Sequence, residues 1–338
     1  MNDFNELLEQ METVIKELEL YENTDDVEKK LNLFVNYLQR GQINLMMNLF
    51  ENSISDVTRA IGIMEKIMDA GPPIILKEYA YAYGTRAGAY HIIGDNENAF
   101  HDANKCIELL EKIQEDGDEG IDLNILCKMY GIRGGILNHM YTQTDLAISD
   151  YQKSISILER QQNAGGSLDE NELGSAFMGL GQCYDQKSDY EKANSYYNKV
   201  LDIWERLFNE DPQSISIDDL AVVYMNRGAN YTDLGEFEKS IRDYNKSIEI
   251  REKNAKNAYN PYLLSTSYKN RALSKGHLND FAGSIEDLKK ALNVLKDFIQ
   301  EHPELQEIYE YIYENLIDII KEKGTQDLLD DTIKMYGI

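Results

Sequence analysis

A chain that repeats itself at a fixed interval can bury its apolar surface only by stacking the repeated unit against its neighbours. This sequence repeats itself. The segments YLQRGQINLMMNLF, YGTRAGAYHIIGDNENAF, YGIRGGILNHMYTQTDLAI, FMGLGQCYDQKSDYEKA, YMNRGANYTDLGEFEKS and YKNRALSKGHLNDFAGS align with one another. They begin at Tyr37, Tyr83, Tyr130, Phe177, Tyr224 and Tyr268, in steps of 46, 47, 47, 47 and 44 residues. Each runs into a second apolar segment: SDVTRAIGIMEKI, HDANKCIELLEKI, SDYQKSISILER, SYYNKVLDIWERL, RDYNKSIEIREK and EDLKKALNVLKDF. The first of the six copies is the most degenerate.

Both halves of a copy carry helical spacing. In the fifth, Leu220, Val223, Tyr224 and Tyr231 line one side of the first segment, and Phe237, Ile241, Tyr244 and Ile248 line the second. The links between them hold Gly94-Asp95-Asn96, Ser188-Asp189-Tyr190, Gly235-Glu236-Phe237 or Asn279-Asp280-Phe281. Glycine or asparagine there accepts the left-handed conformation that closes one helix, and the acid suits the N-terminus of the next. Each copy reads as a helical hairpin. Five prolines in 338 residues leave long stretches with no helix breaker, so the expected fold class is all-α.

The fourth copy reads Phe177-x2-Leu180-Gly181-x2-Tyr184 and then Ala193-x3-Tyr197, which resembles the tetratricopeptide repeat signature. Gly228, Tyr231 and Tyr244 repeat part of it in the fifth copy, with Ser240 where alanine is expected. Small residues let two helices approach, and large ones fill the space around the contact. The resemblance spans Tyr37 to Phe298 and implies a right-handed superhelical solenoid of about six hairpins whose first helices line the inner surface. The family's usual unit is about 34 residues, so each copy here carries roughly a dozen more. They are expected in helices near ~20 residues long and in links rich in turn-forming residues. Those links are Asp69-Ala70-Gly71-Pro72-Pro73, Glu115 to Gly120, Asn163-Ala164-Gly165-Gly166, Asp211-Pro212-Gln213-Ser214 and Asn260-Pro261.

Hairpins are expected at about 31–68, 74–114, 121–162, 170–209, 217–256 and 261–300, between an N-terminal capping helix in 1–30 and C-terminal capping helices in 303–338. Met11, Val14, Ile15 and Leu18 form a stripe in the first cap, and Ile308, Tyr309, Ile312, Leu316 and Ile317 form one in the last. Such stripes either cover the open ends of a core or offer a partner-binding or dimerising surface.

A polar feature runs through the apolar pattern. Arg40 recurs with Asp56, Arg86 with Asp102, Arg133 with Asp150, Arg227 with Asp243 and Arg271 with Asp287, at 16 residues or, in the third copy, 17. In the fourth copy both partners change at once, to Leu180 and Tyr196. Joint replacement of a charged pair by an apolar one is what direct contact produces, because removing one partner alone strands a charge. A structural salt bridge is expected, within a hairpin or across to its neighbour. The alternative is a ladder of arginines binding an anion such as an acidic peptide.

The formal charge of −26 repels phosphate backbones and anionic lipid, so neither nucleic acid nor membrane is an expected partner. Cys106, Cys127 and Cys183 include no CxxC pair and suit a reducing compartment. The acidic start has no positive n-region, and a cytoplasmic location is expected. His91, His101, His139, His277 and His302 form no HExxH, the glycines of GIRGG and GLGQ make no phosphate loop, and the Asp116 to Asp122 string lacks calcium-loop spacing. The sequence therefore calls for no cofactor, no metal and no catalytic site. Relatives that capture a chaperone C-terminus open their clamp, as the resemblance implies, with a lysine and an asparagine four residues apart. The matching places here are Leu38/Gln42, Gly84/Gly88, Gly131/Gly135, Met178/Gln182, Met225/Ala229 and Lys269/Leu273, so that mode is not expected.

On the inner surface implied by the resemblance the candidate groove residues are Tyr81, His91, Lys128, Asn138, His139, Met178, Gln182, Asp185, Met225, Asn226, Asp233, Lys269 and His277. Methionines adapt to shape and amides bond backbone, which suits an extended peptide or a helix; the other reading is an ordinary solvated face. The expected function is a protein-interaction scaffold with a neutral to basic partner. The alternative is a peptide-responsive regulator resembling bacterial tetratricopeptide sensors.

Overall fold

The computed structural model describes residues 2–70, 76–117, 120–140, 143–253, 261–296, 298–299 and 302–336. The link residues Gly71, Pro72, Pro73, Asp118, Glu119 and Asn260 lie outside them. Helix α1 is Asn2–Glu19. Six helix pairs follow: α2 (Val27–Met46) with α3 (Phe50–Ala70), α4 (Leu76–Ile92) with α5 (Asn96–Glu115), α6 (Leu123–His139) with α7 (Thr144–Asn163), α8 (Glu170–Gln186) with α9 (Tyr190–Glu210), α10 (Ile217–Asp233) with α11 (Phe237–Lys253), and α12 (Pro261–His277) with α13 (Phe281–Lys296). A 3-10 turn at Pro303–Leu305, α14 (Gln306–Lys323) and α15 (Gln326–Tyr336) complete the chain. The described residues contain no strand. Second helices α3, α5, α7 and α9 run to 20 or 21 residues, whereas first helices α4 to α12 are all 17, so the longer period lies more in the second helices.

The chain forms two compact units, Met1–Gly179 and Leu180–Ile338, and α8 contributes to both. In unit 1 the hairpins α2–α3, α4–α5 and α6–α7 stack in sequence order, with α3 on α4 and α5 on α6. First helices also touch, α2 with α4 and α4 with α6, which sets their outward faces side by side. The core of this unit runs from Ile15 and Phe34 through Met64, Tyr83 and Leu110 to Leu158. In unit 2, α9 packs on α10, α11 on α12 and α13 on α14, and α14 closes the end with Ile312, Leu316 and Ile320 buried against Leu292 and Leu295. At the other end Met11 and Ile15 of α1 are buried, while Leu7 and Val14 stay exposed.

The hairpin turns share one construction. Asn48, Gly94, Ser188, Gly235 and Asn279 all have φ between 57° and 80°. In each, the next residue's N–H reaches five residues back: Leu49 to Asn44, Asp95 to Tyr90, Asp189 to Tyr184, Glu236 to Tyr231 and Asp280 to Lys275, at 2.8–2.9 Å. This bond satisfies a carbonyl that the helix end would leave open, and it needs the left-handed residue before it. Asp95, Asp189 and Asp280 then cap the following helix through their side chains.

Close approach within a hairpin rests on the residue four after each leading aromatic. A Cβ added at Gly181 would lie 2.4 Å from the Tyr197 ring, and one at Gly41 2.5 Å from Val57. Ser240, standing at the alanine position, has its hydroxyl 2.7 Å from Thr232 and 2.8 Å from Ser274, so α10, α11 and α12 share a buried hydroxyl cluster. The hydroxyl is compatible with burial there because it is bonded.

Candidate functional site

The polar register of the repeat is built from both helices of each hairpin. Arg40 on α2, Arg86 on α4, Arg133 on α6, Arg227 on α10 and Arg271 on α12 each place Nε and Nη2 on the two oxygens of Asp56, Asp102, Asp150, Asp243 and Asp287, at 2.5–3.0 Å. The pairs lie within hairpins. The aspartate side chains are 1–8% exposed and the arginines 12–21%. The remaining nitrogen, Nη1, reaches back to the preceding second helix: Arg86 to Thr58 Oγ1, Arg133 to Asn104, Arg227 to Asn198 and Arg271 to Asn245, at 2.6–3.0 Å. These receptors stand two residues after the aspartate of the previous copy, or after Tyr196 in the fourth. Gln152 holds that place before the copy that lacks the arginine. In the fourth copy Leu180 is buried and Tyr196 stacks on Tyr184 with ring centroids 5.5 Å apart.

A second polar link joins hairpins. In four of the six first helices the leading tyrosine, mid-helix, donates its hydroxyl to a glutamate one element back: Tyr37 to Glu19, Tyr130 to Glu111, Tyr224 to Glu205 and Tyr268 to Glu252. Burial, reinforced by Glu111, pushes the Tyr130 phenol up to about 12.

The groove candidates separate by position. In unit 1, His91, Lys128 and His139 are exposed, and Met178 and Tyr81 are half-buried. The Tyr81 hydroxyl accepts from the Asp122 backbone N–H at 2.7 Å, so it holds the start of α6. Burial and then the nearby His139 hold the His91 imidazole below its ordinary pKa. Asn138 corrects the expectation of an exposed face: it is 4% exposed. At about 100° per residue, Asn138 lies only about 80° round the helix from Tyr130 and about 40° from Gly134, on the side that meets the second helix.

In unit 2, Gln182, Asp185, Met225, Asn226 and Lys269 are half-buried, and Asp233 and His277 are exposed. Asp185 receives the Tyr197 hydroxyl on Oδ2 at 2.6 Å, and the Asn230 amide also faces the carboxyl. Burial first, with Asp233 adding repulsion, raises the Asp185 carboxyl to about 6 against the bonds from Tyr197 and Asn230. His277 lies flat on Phe237, with ring centroids 4.4 Å apart.

The three cysteines are buried, and burial lifts each thiol to about 12, far from the reactive thiolate range. Among the described residues no group of three or more His, Cys, Asp or Glu is placed to hold a metal ion. No helix among them is long and apolar enough to cross a membrane.

The sequence model of the tetratricopeptide repeat matches residues 174–203 and 221–254, which cover most of α8–α9 and α10–α11. These two hairpins carry tetratricopeptide repeats. Solved tetratricopeptide-like structures share the fold. The Signal Transduction ATPase with Numerous Domains protein with a tetratricopeptide repeat sensor, from Pyrococcus horikoshii, matches at TM-score 0.61 and 17% identity, over 96% of this chain and 46% of that one. The apo form of RapI matches at TM-score 0.56 and 17% identity, over 96% and 78%. BtubC (BKLC) from P. vanneervenii matches at TM-score 0.55 and 18% identity, over 74% and 92%. No curated protein matches the sequence. Beside these tetratricopeptide folds, the arginine, aspartate and asparagine register explains how the present repeats hold together.

Proposed function

We propose that the chain is a non-enzymatic interaction scaffold that takes a neutral to basic protein segment along its first helices. The observation that carries this reading is the pair of carboxyls at the ends of neighbouring first helices, half-buried Asp185 on α8 and exposed Asp233 on α10, which repel each other. An ammonium or guanidinium beside Asp233 offsets that repulsion in a charge-assisted bond. The charge of −26 draws cationic segments toward the surface and makes the association sensitive to salt. Half-buried Met225 and Asn226 on the same unit suit a peptide, the thioether by shape and the amide by bonding backbone.

The test is fluorescence anisotropy with two labelled peptide pools of equal length, one rich in arginine and lysine and one in glutamate. Binding of the cationic pool, weakened by salt and by at least about tenfold in the Asp185→Asn, Asp233→Asn variant, is the expected result. Binding of the acidic pool alone overturns the reading. Small-angle scattering with the bound peptide then separates a static scaffold, whose profile stays unchanged, from a peptide-responsive sensor, whose profile shifts.

A further inference from the structure

A cavity of about 370 Å³ opens in unit 2 between α12, the start of α13 and α14. That volume lies at the small end of the range of about 300–1,000 Å³ typical of ligand pockets. Its walls are mainly apolar, supplied by Leu273, Phe281, Leu288 and Ile319 among others, and Leu273 and Tyr311 at its edge are 56% and 57% exposed. Although 60 of the 338 residues are acidic, not one carboxylate lines it. One cation does. Lys269 lies 5.7 Å from the Tyr311 ring centroid, and no described carboxylate lies within ion-pair distance of it. Burial alone lowers its ammonium from the ordinary lysine value. Every arginine of the Arg–Asp register, by contrast, has its own acid.

A half-buried ammonium with no counter-charge, set in an apolar cavity, is a place where a ligand carboxylate would relieve the cost of desolvation. The two sides of the cavity ask for different chemistry. The aliphatic and aromatic wall takes a hydrocarbon body, and the lysine takes one negative charge at its end. A nucleotide or a polyanion fits neither the single cation nor the apolar wall.

We propose that this cavity binds an apolar monocarboxylate, with the carboxylate on Lys269 and the hydrocarbon among Leu273, Phe281 and Ile319. The ligand is a small free acid or the end of a peptide whose last residue is apolar; the two share this chemistry. The proposal stands on the cavity and goes beyond the cationic-segment reading above, so failure of either leaves the other to be judged on its own data.

The test is isothermal titration calorimetry of the full chain with octanoate and with octanol. Octanoate is expected to bind saturably with Kd below about 1 mM, and octanol to bind at least about tenfold more weakly, because only the acid meets the ammonium. Lys269→Met keeps most of the stem and removes the charge, so it abolishes the preference for the acid. Gly276→Leu is the second variant: a Cβ there would have Ser284 Oγ as its nearest contact, at 3.9 Å, so the added side chain enters the cavity while Lys269 stays intact. It should remove octanoate binding with unchanged circular dichroism. Acetyl-Leu-Phe as the free acid, against its amide, assigns the source. Displacement of octanoate by the acid alone identifies a peptide end, and no displacement by either identifies a free acid. Equal binding of octanoate and octanol, octanoate affinity unchanged in Lys269→Met, or no octanoate binding at millimolar concentration overturns the proposal.

Discussion

Replacing Arg227 by alanine tests the repeat's polar register where its geometry is most complete. The guanidinium holds Asp243 at 2.7 and 2.8 Å and Asn198 at 2.7 Å, with the arginine side chain 17% exposed and the aspartate 7%. An exposed pair would contribute at most about 1 kcal/mol, and stranding a fully buried charge costs about 3–5 kcal/mol. Asp243 lies nearer the second case. Some solvent still reaches the arginine, so the expected loss is about 2–3 kcal/mol. Loss of the Asn198 bond adds little because Asn198 is exposed and water replaces its donor. The fourth copy supplies the rescue. Arg227→Leu with Asp243→Tyr reproduces Leu180 and Tyr196, and Tyr231 already stands where Tyr184 receives its stacked partner. The double variant should recover all but about 1 kcal/mol, because no charge is left behind. Trp204, the single tryptophan and buried on α9, which packs against α10, reports the local transition by fluorescence in urea. A coupling energy below about 0.5 kcal/mol in the cycle of Arg227→Leu, Asp243→Tyr and their double variant, meaning losses that simply add, would refute direct dependence between the two side chains.

Three further outcomes follow from geometry. Gly181→Ala puts a methyl group into the fully buried Tyr197 ring and should cost about 1–3 kcal/mol in urea unfolding, whereas Gly62→Ala, with open space around the added carbon, should not destabilise. Ser188 holds φ 57° with a side chain that pays for that conformation, so Ser188→Gly should stabilise by about 1 kcal/mol and raise the melting temperature by a few degrees. The Asp185 carboxyl is raised to about 6 in the folded protein, so its protonation favours folding. The contribution is fully present below the unfolded value of about 4 and is lost as pH rises through about 6. Asp185→Asn should therefore stabilise by about 2 kcal/mol at pH 8 and hardly at all at pH 4, as read from melts across that range.

The hairpins were legible because alignment of the copies exposes what a single helix hides. Tyr37 through Tyr268 fixed the register, and Arg227 with Asp243 could be paired because Leu180 and Tyr196 change together. The bond from Nη1 was not read, though its signal is present: Asn104, Asn198 and Asn245 stand before copies that have the arginine, and Gln152 before the one that does not. Asn138 is polar, yet its angle on the helix puts it on the packed side with Gly134. The cavity beside Lys269 had no periodic trace. Its walls come from one repeat and from α14, which lies outside the alignment, so only the folded chain brings Tyr311 to Lys269.

The reach of Nη1 has a consequence for editing the molecule. Cutting inside a hairpin separates arginine from aspartate and leaves a charge with no counterpart, while cutting at a hairpin boundary severs a bond to a neutral amide that solvent readily replaces. The buried arginine–aspartate pairs are thus confined within each module, and the seams carry the bonds from Nη1 and the tyrosine–glutamate links. Whole modules can be excised or duplicated without splitting a buried arginine–aspartate pair, which is how a chain of this kind can change its length without relearning how to fold.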